Sequence, residues 1–81
     1  MRLPRDWSGD DLIRRLERVG YRPTRQTGSH VRLTRRDEAG EHHITVPRHR
    51  MLRLGTLSSV LRDVASHLGV ERDELLHMLL D

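Results

Sequence analysis

The chain has 81 residues, a net charge of +3 and no cysteine or lysine, so its fifteen cationic side chains other than histidine are all arginine. This length indicates one small domain (residues 1–81), and the lack of cysteine excludes disulfides, thiol nucleophiles and thiolate metal sites. No apolar run approaches the roughly 20 residues that a membrane span needs, and the first residues lack a signal-peptide core. We therefore expect a soluble, cytoplasmic domain with no membrane contact.

The positive charge is concentrated in the first two-thirds of the chain. Between Leu12 and Arg53 there are eleven arginines and four acidic residues, a net charge of +7. From Leu54 to the end there are two arginines and five acidic residues. An excess of positive charge in one part of a small domain is typical of a surface that binds nucleic acid. A protein that only binds another protein does not need such a field.

The first predicted element is an amphipathic helix that starts after Ser8. Ser8 is a favourable N-cap, and Asp11 lies three residues later, as in a capping box. Gly20 is placed to end the helix as the residue after its C-cap. One apolar stripe is formed by Leu12, Ile13, Leu16 and Val19.

The next segment has the two-residue period of β-strands. Residues 21–26 predict a short strand, and Pro23 favours an edge position because proline cannot donate to the hydrogen-bond ladder. Residues 30–35 and 42–46 predict two further strands, joined by a polar connector of hairpin type at residues 36–41. The three segments together predict an antiparallel sheet.

The alternation within the second and third strands predicts which side chains face the core. Four apolar side chains fall on one face and are expected under the helices: Val31, Leu33, Ile44 and Val46. The opposite face is expected to carry His30, Arg32, Thr34, His43 and Thr45 outward.

Two more helices complete the prediction. After a loop over residues 48–55, Thr56 is a candidate N-cap for a helix that Gly69 ends. A last short helix is predicted near residues 71–80, where acidic residues suit its first turn. The fold class is therefore α+β: a helix, three antiparallel strands, then a helix and a short extra C-terminal helix, with the helices on one face of the sheet.

The tripeptide Gly28-Ser29-His30 is the strongest candidate for a catalytic feature. It places a histidine, which titrates near neutral pH, at a turn-to-strand junction in a basic segment. RNA is cut without a metal when its own 2′-hydroxyl attacks the adjacent phosphate, and this reaction needs proton transfer and stabilisation of charge. We predict His30 as the general acid or base, and we expect no metal and no cofactor.

Several nearby residues are candidates for RNA contacts. Arginine side chains and turn N–H groups hold phosphates well, and a glycine allows the backbone to approach closely. The predicted RNA-binding set is Arg25, Gly28, Ser29, Arg32, Arg48 and His49. A second proton carrier is less evident: His43, His49 and water all remain open.

The other histidines favour ordinary surface roles. Three of them are close in sequence, but neighbours on a strand point to opposite faces and no zinc-ligand spacing is present. For His42, His43 and His49 we expect a solvated edge, and for His67 and His77 positions near helix C-termini, interacting with the helix dipole or with solvent.

The chain resembles a known family through four segments in order. These are the helix ending Val19-Gly20-Tyr21, the segment Arg25-Gln26-Thr27-Gly28-Ser29-His30, the segment Ile44-Thr45-Val46-Pro47 with His49, and Gly55-Thr56-Leu57 with Leu61. Together they resemble the HicA toxins of type II toxin–antitoxin systems, over about residues 8–80.

The resemblance implies both an activity and a partner. HicA proteins are small mRNA interferases with a fold like that of double-stranded-RNA-binding domains, and the histidine of the Gly-Ser-His motif, here His30, is catalytic. The implied partner is a HicB-like antitoxin that folds over the toxin and blocks this histidine. One difference is that the two lysines often found before the Gly-Thr pair are Arg53 and Leu54 here.

Two other classes of function remain open on the residues alone. A basic α-β-β-β-α domain can bind RNA by shape and phosphate contacts without cutting it. The chain can also be read as a structural or antitoxin-like interaction protein, which the +7 segment disfavours. Loss of His30 separates these readings, because a binding module tolerates it and a nuclease does not.

Overall fold

A computed structural model describes residues 2–80, which form the predicted α+β arrangement. The three strands are antiparallel, in the order β1-β2-β3. The elements are α1 (Gly9–Leu16), β1 (Arg22–Thr27), β2 (His30–Asp37), β3 (Gly40–Pro47), α2 (Leu54–Leu68) and α3 (Arg72–Leu79).

The start of α1 is capped as its sequence predicts. The Ser8 hydroxyl accepts a hydrogen bond from the Asp11 N–H, and the Asp11 carboxylate accepts one from the Ser8 N–H, each at 3.0 Å. The helix ends earlier than predicted, because residues Glu17–Val19 form a 3-10 turn before Gly20. Gly20 has a φ of 98°, a left-handed conformation that favours glycine.

The helices cover one face of the sheet, which is the face predicted from the alternation. Val31, Leu33, Ile44 and Val46 are at most 5 % exposed. They form one core with apolar residues of α1 and α2 and with Leu75, Leu76 and Leu79 of α3. The opposite face, called the outer face below, carries His30, Arg32 and Thr45.

The predicted hairpin connection between β2 and β3 is confirmed, but its predicted extent, residues 36–41, is wrong. Both strands continue to a tight turn, with Asp37 paired to Gly40. Arg36 hydrogen-bonds Glu41 across the strands, and the Asp37 carboxylate accepts the Ala39 N–H at 2.8 Å. The end of this hairpin is exposed and held by charged side chains, so the apolar alternation that predicts strands gives no signal there.

The N-terminus of α2 also differs from the prediction. The helix begins at Leu54 rather than after Thr56, and the N-cap is Arg53, whose carbonyl accepts the Leu57 N–H at 3.0 Å. The loop is shorter because Leu52 is already buried in the core, and the chain turns directly into the helix behind it. In the part of the chain that the structure describes, no side chain forms a capping hydrogen bond at this end.

Two glycines in first helical turns provide a matched test of how closely α1 packs on the sheet. A Cβ at Gly9 would lie 2.0 Å from the Pro47 carbonyl oxygen, whereas one at Gly55 has no atom within 4 Å. We expect Gly9→Ala to lower the free energy of unfolding by about 1–3 kcal/mol. Gly55→Ala should leave it unchanged or raise it by about 0.5–1 kcal/mol. Urea denaturation of both variants measures this, and equal stabilities would contradict the packing described.

Across residues 2–80, no helix combines the length and apolar character needed to cross a bilayer.

Candidate active site

His30 is the first residue of β2 and its side chain is exposed. It pairs with Thr27 across a two-residue turn. Gly28 in that turn has a φ of 59°, so a side chain there would strain the backbone even though the surrounding space is open. The Gln26 side-chain amide donates to the Gly28 carbonyl at 3.0 Å and supports the turn.

The turn is also held from the β3 side. The Arg48 N–H donates to the Ser29 carbonyl at 2.6 Å, immediately before His30. The Gly9 N–H donates to the His49 carbonyl at 2.8 Å, which fixes the same segment against the start of α1. The backbone at His30 is thereby anchored to β1, β3 and α1, as positioning a catalytic group requires.

Two arginines lie beside His30. Arg25 on β1 is directly opposite Arg32 on β2, and both line a shallow depression with His30, Thr27 and Thr45. Within residues 2–80, neither guanidinium forms a hydrogen bond or a close ion pair, although the charge of Arg32 acts on Glu41 over a longer distance. Like charges directly opposite on neighbouring strands destabilise a sheet. An anion bound between them would remove that repulsion.

A β-bulge in β1 creates this arginine pair. The pairing register shifts between Pro23 and Arg25, which leaves Thr24 as the extra residue. Without the shift, Arg25 would be opposite Val31 and would share the core-facing side of the sheet. Bulges are common beside active sites, where they redirect a side chain.

The structure places Arg48 apart from these two arginines. Its guanidinium donates twice to the Asp10 carboxylate, at 2.8 and 3.2 Å, and this pairing raises the pKa of Arg48. The two side chains line a separate depression with Ile13 and Val31, on the helix-covered side. Arg48 therefore reaches the His30 turn through its backbone and not through its side chain. His49 is exposed in the same loop.

His43 lies on the outer face but at a distance from His30. Thr34 of β2 pairs with His43, whereas His30 pairs with Pro47. The two histidines are thus four residues apart along the sheet, or about 13 Å at the rise of a strand. A group at that distance cannot exchange a proton with the atoms that His30 reaches.

The sequence did not reveal a polar cluster under α2. The buried Tyr21 hydroxyl is hydrogen-bonded to His42 Nδ1 at 2.6 Å, and the other ring nitrogen of His42 is 3.1 Å from the Asp63 carboxylate. His67 stacks on His42 with ring centroids 4.2 Å apart. Burial raises the pKa of Tyr21 to about 12.

This cluster corrects the predicted surface roles of two histidines. Neither His42 nor His67 is a solvated side chain, because both are partly buried between β3 and α2. The sequence did contain one signal for this. His42 lies two residues before Ile44 and four before Val46, so all three side chains are on the core face of the strand.

No group of three or more His, Asp or Glu side chains in residues 2–80 is arranged to hold a metal ion.

The fold and the site define a class of protein: a small basic α+β domain whose open sheet face presents a histidine beside unpaired arginines. The family model described as "HicA toxin of bacterial toxin-antitoxin" matches residues 9–65, so the chain belongs to the HicA toxin family. It is thus the toxin of a toxin–antitoxin system, for which the family implies a HicB-like antitoxin. No curated protein and no solved structure matches the chain.

Proposed function

We propose that this toxin is a metal-independent endoribonuclease that cleaves mRNA in the cytoplasm, with His30 as its single catalytic histidine. The observation that carries the proposal is the depression that joins His30 to the facing pair Arg25 and Arg32. A proton-transfer group next to two cations without carboxylate partners suits a phosphodiester better than a neutral or cationic substrate.

The proposed reaction uses a nucleophile that the RNA itself supplies. The 2′-hydroxyl oxygen forms a bond to the adjacent phosphorus and the bond from phosphorus to the 5′-oxygen breaks, which leaves a 2′,3′-cyclic phosphate and a 5′-hydroxyl. The 2′-hydroxyl loses a proton and the 5′-oxygen gains one. His30 performs one of these transfers, and Arg25 and Arg32 stabilise the charge that develops on the phosphate oxygens.

The second proton transfer is assigned to water. Among residues 2–80, the depression around His30 is lined by arginine and threonine side chains and by no second imidazole. His43 is too far along the sheet, because it pairs with Thr34. His49 lies in the loop after β3 and does not line the depression either. We therefore assign this transfer to solvent, which the open depression admits.

The antitoxin is proposed to cover the outer face. Arg25, Arg32 and His30 are exposed or half-exposed there, and an acidic surface would associate rapidly with them. Coverage of this face would exclude RNA without using the proton transfer itself. Inhibition would then be steric and electrostatic.

Cleavage is expected to continue in excess chelator and to require the 2′-hydroxyl. The purified toxin is incubated with a short RNA, with and without EDTA, and with the same sequence made entirely of 2′-deoxynucleotides. Cleavage of the RNA at an unchanged rate in EDTA, together with an intact deoxy strand, is the expected result. Loss of activity in EDTA or efficient cutting of the deoxy strand would contradict the proposed mechanism.

A further inference from the structure

A row of hydrogen-bonded side chains crosses the outer face at some distance from His30. Thr34 is only 5 % exposed, although the alternation predicts an outward side chain. Its hydroxyl oxygen lies 2.8 Å from the Thr24 hydroxyl and 2.8 Å from His43 Nδ1. The two threonines, one of them the extra residue of the β-bulge, therefore fix the ring of His43.

The end of the row determines which ring nitrogen of His43 carries its proton. Nε2 lies 3.5 Å from a Glu41 carboxylate oxygen. The hydrogen bond from Arg36 holds the pKa of Glu41 below its usual value, so this group is a carboxylate and can only accept. An N–H at Nε2 is then favoured, which leaves Nδ1 to accept a hydrogen bond from the Thr34 hydroxyl. His43 presents an N–H donor at the surface.

The surroundings of His43 are compatible with an anion. Glu41 is the only carboxylate near it among residues 2–80, and Arg36 offsets that charge. Arg32 also acts on Glu41 from the His30 side. The side chain of His43 is 37 % exposed, which leaves its outward nitrogen accessible. A phosphate oxygen that displaces Glu41 would therefore accept a hydrogen bond from the Nε2–H of His43. The net charge of the surrounding side chains is close to neutral or positive.

We propose that His43 is a second RNA-binding site, which holds a phosphate of the same strand a few nucleotides away from the bond that His30 cuts. This second site rests on the proposed function and adds to it the path that the RNA takes across the sheet. Arg25 and Arg32 lie on the same face beside His30, toward His43. The RNA would run along β2 over about 13 Å, so a dinucleotide reaches His30 alone and a longer strand reaches both histidines.

The test compares kcat/KM for a hexanucleotide with kcat/KM for a dinucleotide that contains the same scissile bond. In His43→Ala, the ratio of the hexanucleotide kcat/KM to the dinucleotide kcat/KM should fall about ten- to a hundredfold, the effect of losing one hydrogen bond to a charged phosphate. His77→Ala is the matched control, because His77 is exposed on α3 on the other side of the sheet, and its ratio should equal that of the wild type. An unchanged ratio in His43→Ala would overturn the proposal.

A second measurement does not depend on the folding of that variant. His30→Ala protein with native His43 is titrated with RNAs of increasing length, and the affinity should rise in a step at the length that spans both histidines. A smooth rise without a step would also overturn the proposal. Wild-type protein that cuts neither substrate would count against the proposed nuclease activity, and the binding series would then still decide whether His43 contacts RNA.

Discussion

Replacement of His30 by alanine is expected to lower the rate of RNA cleavage by roughly 10²–10⁴-fold, the usual contribution of one general acid or base. Among the described residues, 2–80, the depression has no second imidazole in its lining that could take over the transfer. The fold should persist, because the His30 side chain is exposed and the turn is held by backbone and Gln26 contacts. Single-turnover cleavage of a labelled RNA measures the rate, and loss of growth arrest on expression is the cellular counterpart.

His77→Ala is the matched control for this experiment, since it removes an exposed histidine far from the outer face. Its cleavage rate should equal that of the wild type. Thermal unfolding of both variants shows whether their stability is preserved. If His30→Ala is folded and cuts RNA at the wild-type rate, His30 is not the catalytic residue. If the wild type binds RNA without cutting it, a binding module becomes the better description.

Reversal of charge at both Arg25 and Arg32 is expected to have the second largest effect. The double variant Arg25→Glu, Arg32→Glu should bind RNA at least about a hundredfold more weakly, because each lost phosphate contact is a charge-assisted hydrogen bond of roughly 1.5–3 kcal/mol. Its binding should also depend less steeply on salt, since fewer counterions are released. Fluorescence anisotropy at several salt concentrations measures both quantities.

The matched control makes the same change in net charge on another part of the surface. Arg53 and Arg62 are exposed on or beside α2, on the helix-covered side of the sheet, and replacing both by glutamate should weaken RNA binding far less. Equal losses in the two double variants would mean that RNA responds to the overall charge of the domain and not to the outer face.

The same variants locate the antitoxin. His30→Ala should bind the antitoxin as the wild type does, whereas reversal of Arg25 and Arg32 should weaken binding and make it less sensitive to salt. Co-purification of tagged toxin with its antitoxin, followed by a salt titration, measures this. If the double reversal binds as tightly as the wild type at every ionic strength, the antitoxin docks elsewhere, and the exposed side chains Met78 and Leu80 at the C-terminal end of the chain are then the first surface to test.

The fold was largely predictable because each local signal agrees with the others. The Ser8 cap, the glycine after the first helix and the period-two alternation of Val31 and Leu33 all give strong short-range information. The turn before His30 is similar, because Gly28 is the residue that a positive φ favours. The exposed hairpin end at Asp37 and Gly40 lacks an apolar pattern, and the extension of both strands to this turn was missed for that reason.

The site was less predictable because it depends on pairing register. Nothing local to Thr24 indicates that it is an extra residue, yet that bulge decides whether Arg25 faces His30 or the core. The pairing of Arg48 with Asp10 joins residues 38 positions apart, and the stack of His42 on His67 joins β3 to α2. Such long-range contacts have no signature in neighbouring residues.

The chemical identity of the new RNA ends tests the central claim most directly. The wild-type toxin is incubated in EDTA with an RNA of defined sequence, and the fragments are analysed by mass spectrometry. Attack by the 2′-hydroxyl, with His30 either taking the proton of that hydroxyl or giving one to the departing 5′-oxygen, predicts a 2′,3′-cyclic phosphate on the upstream fragment and a 5′-hydroxyl on the downstream one. A 3′-hydroxyl with a 5′-phosphate would contradict the account, because water and not the 2′-hydroxyl would then have attacked the phosphate.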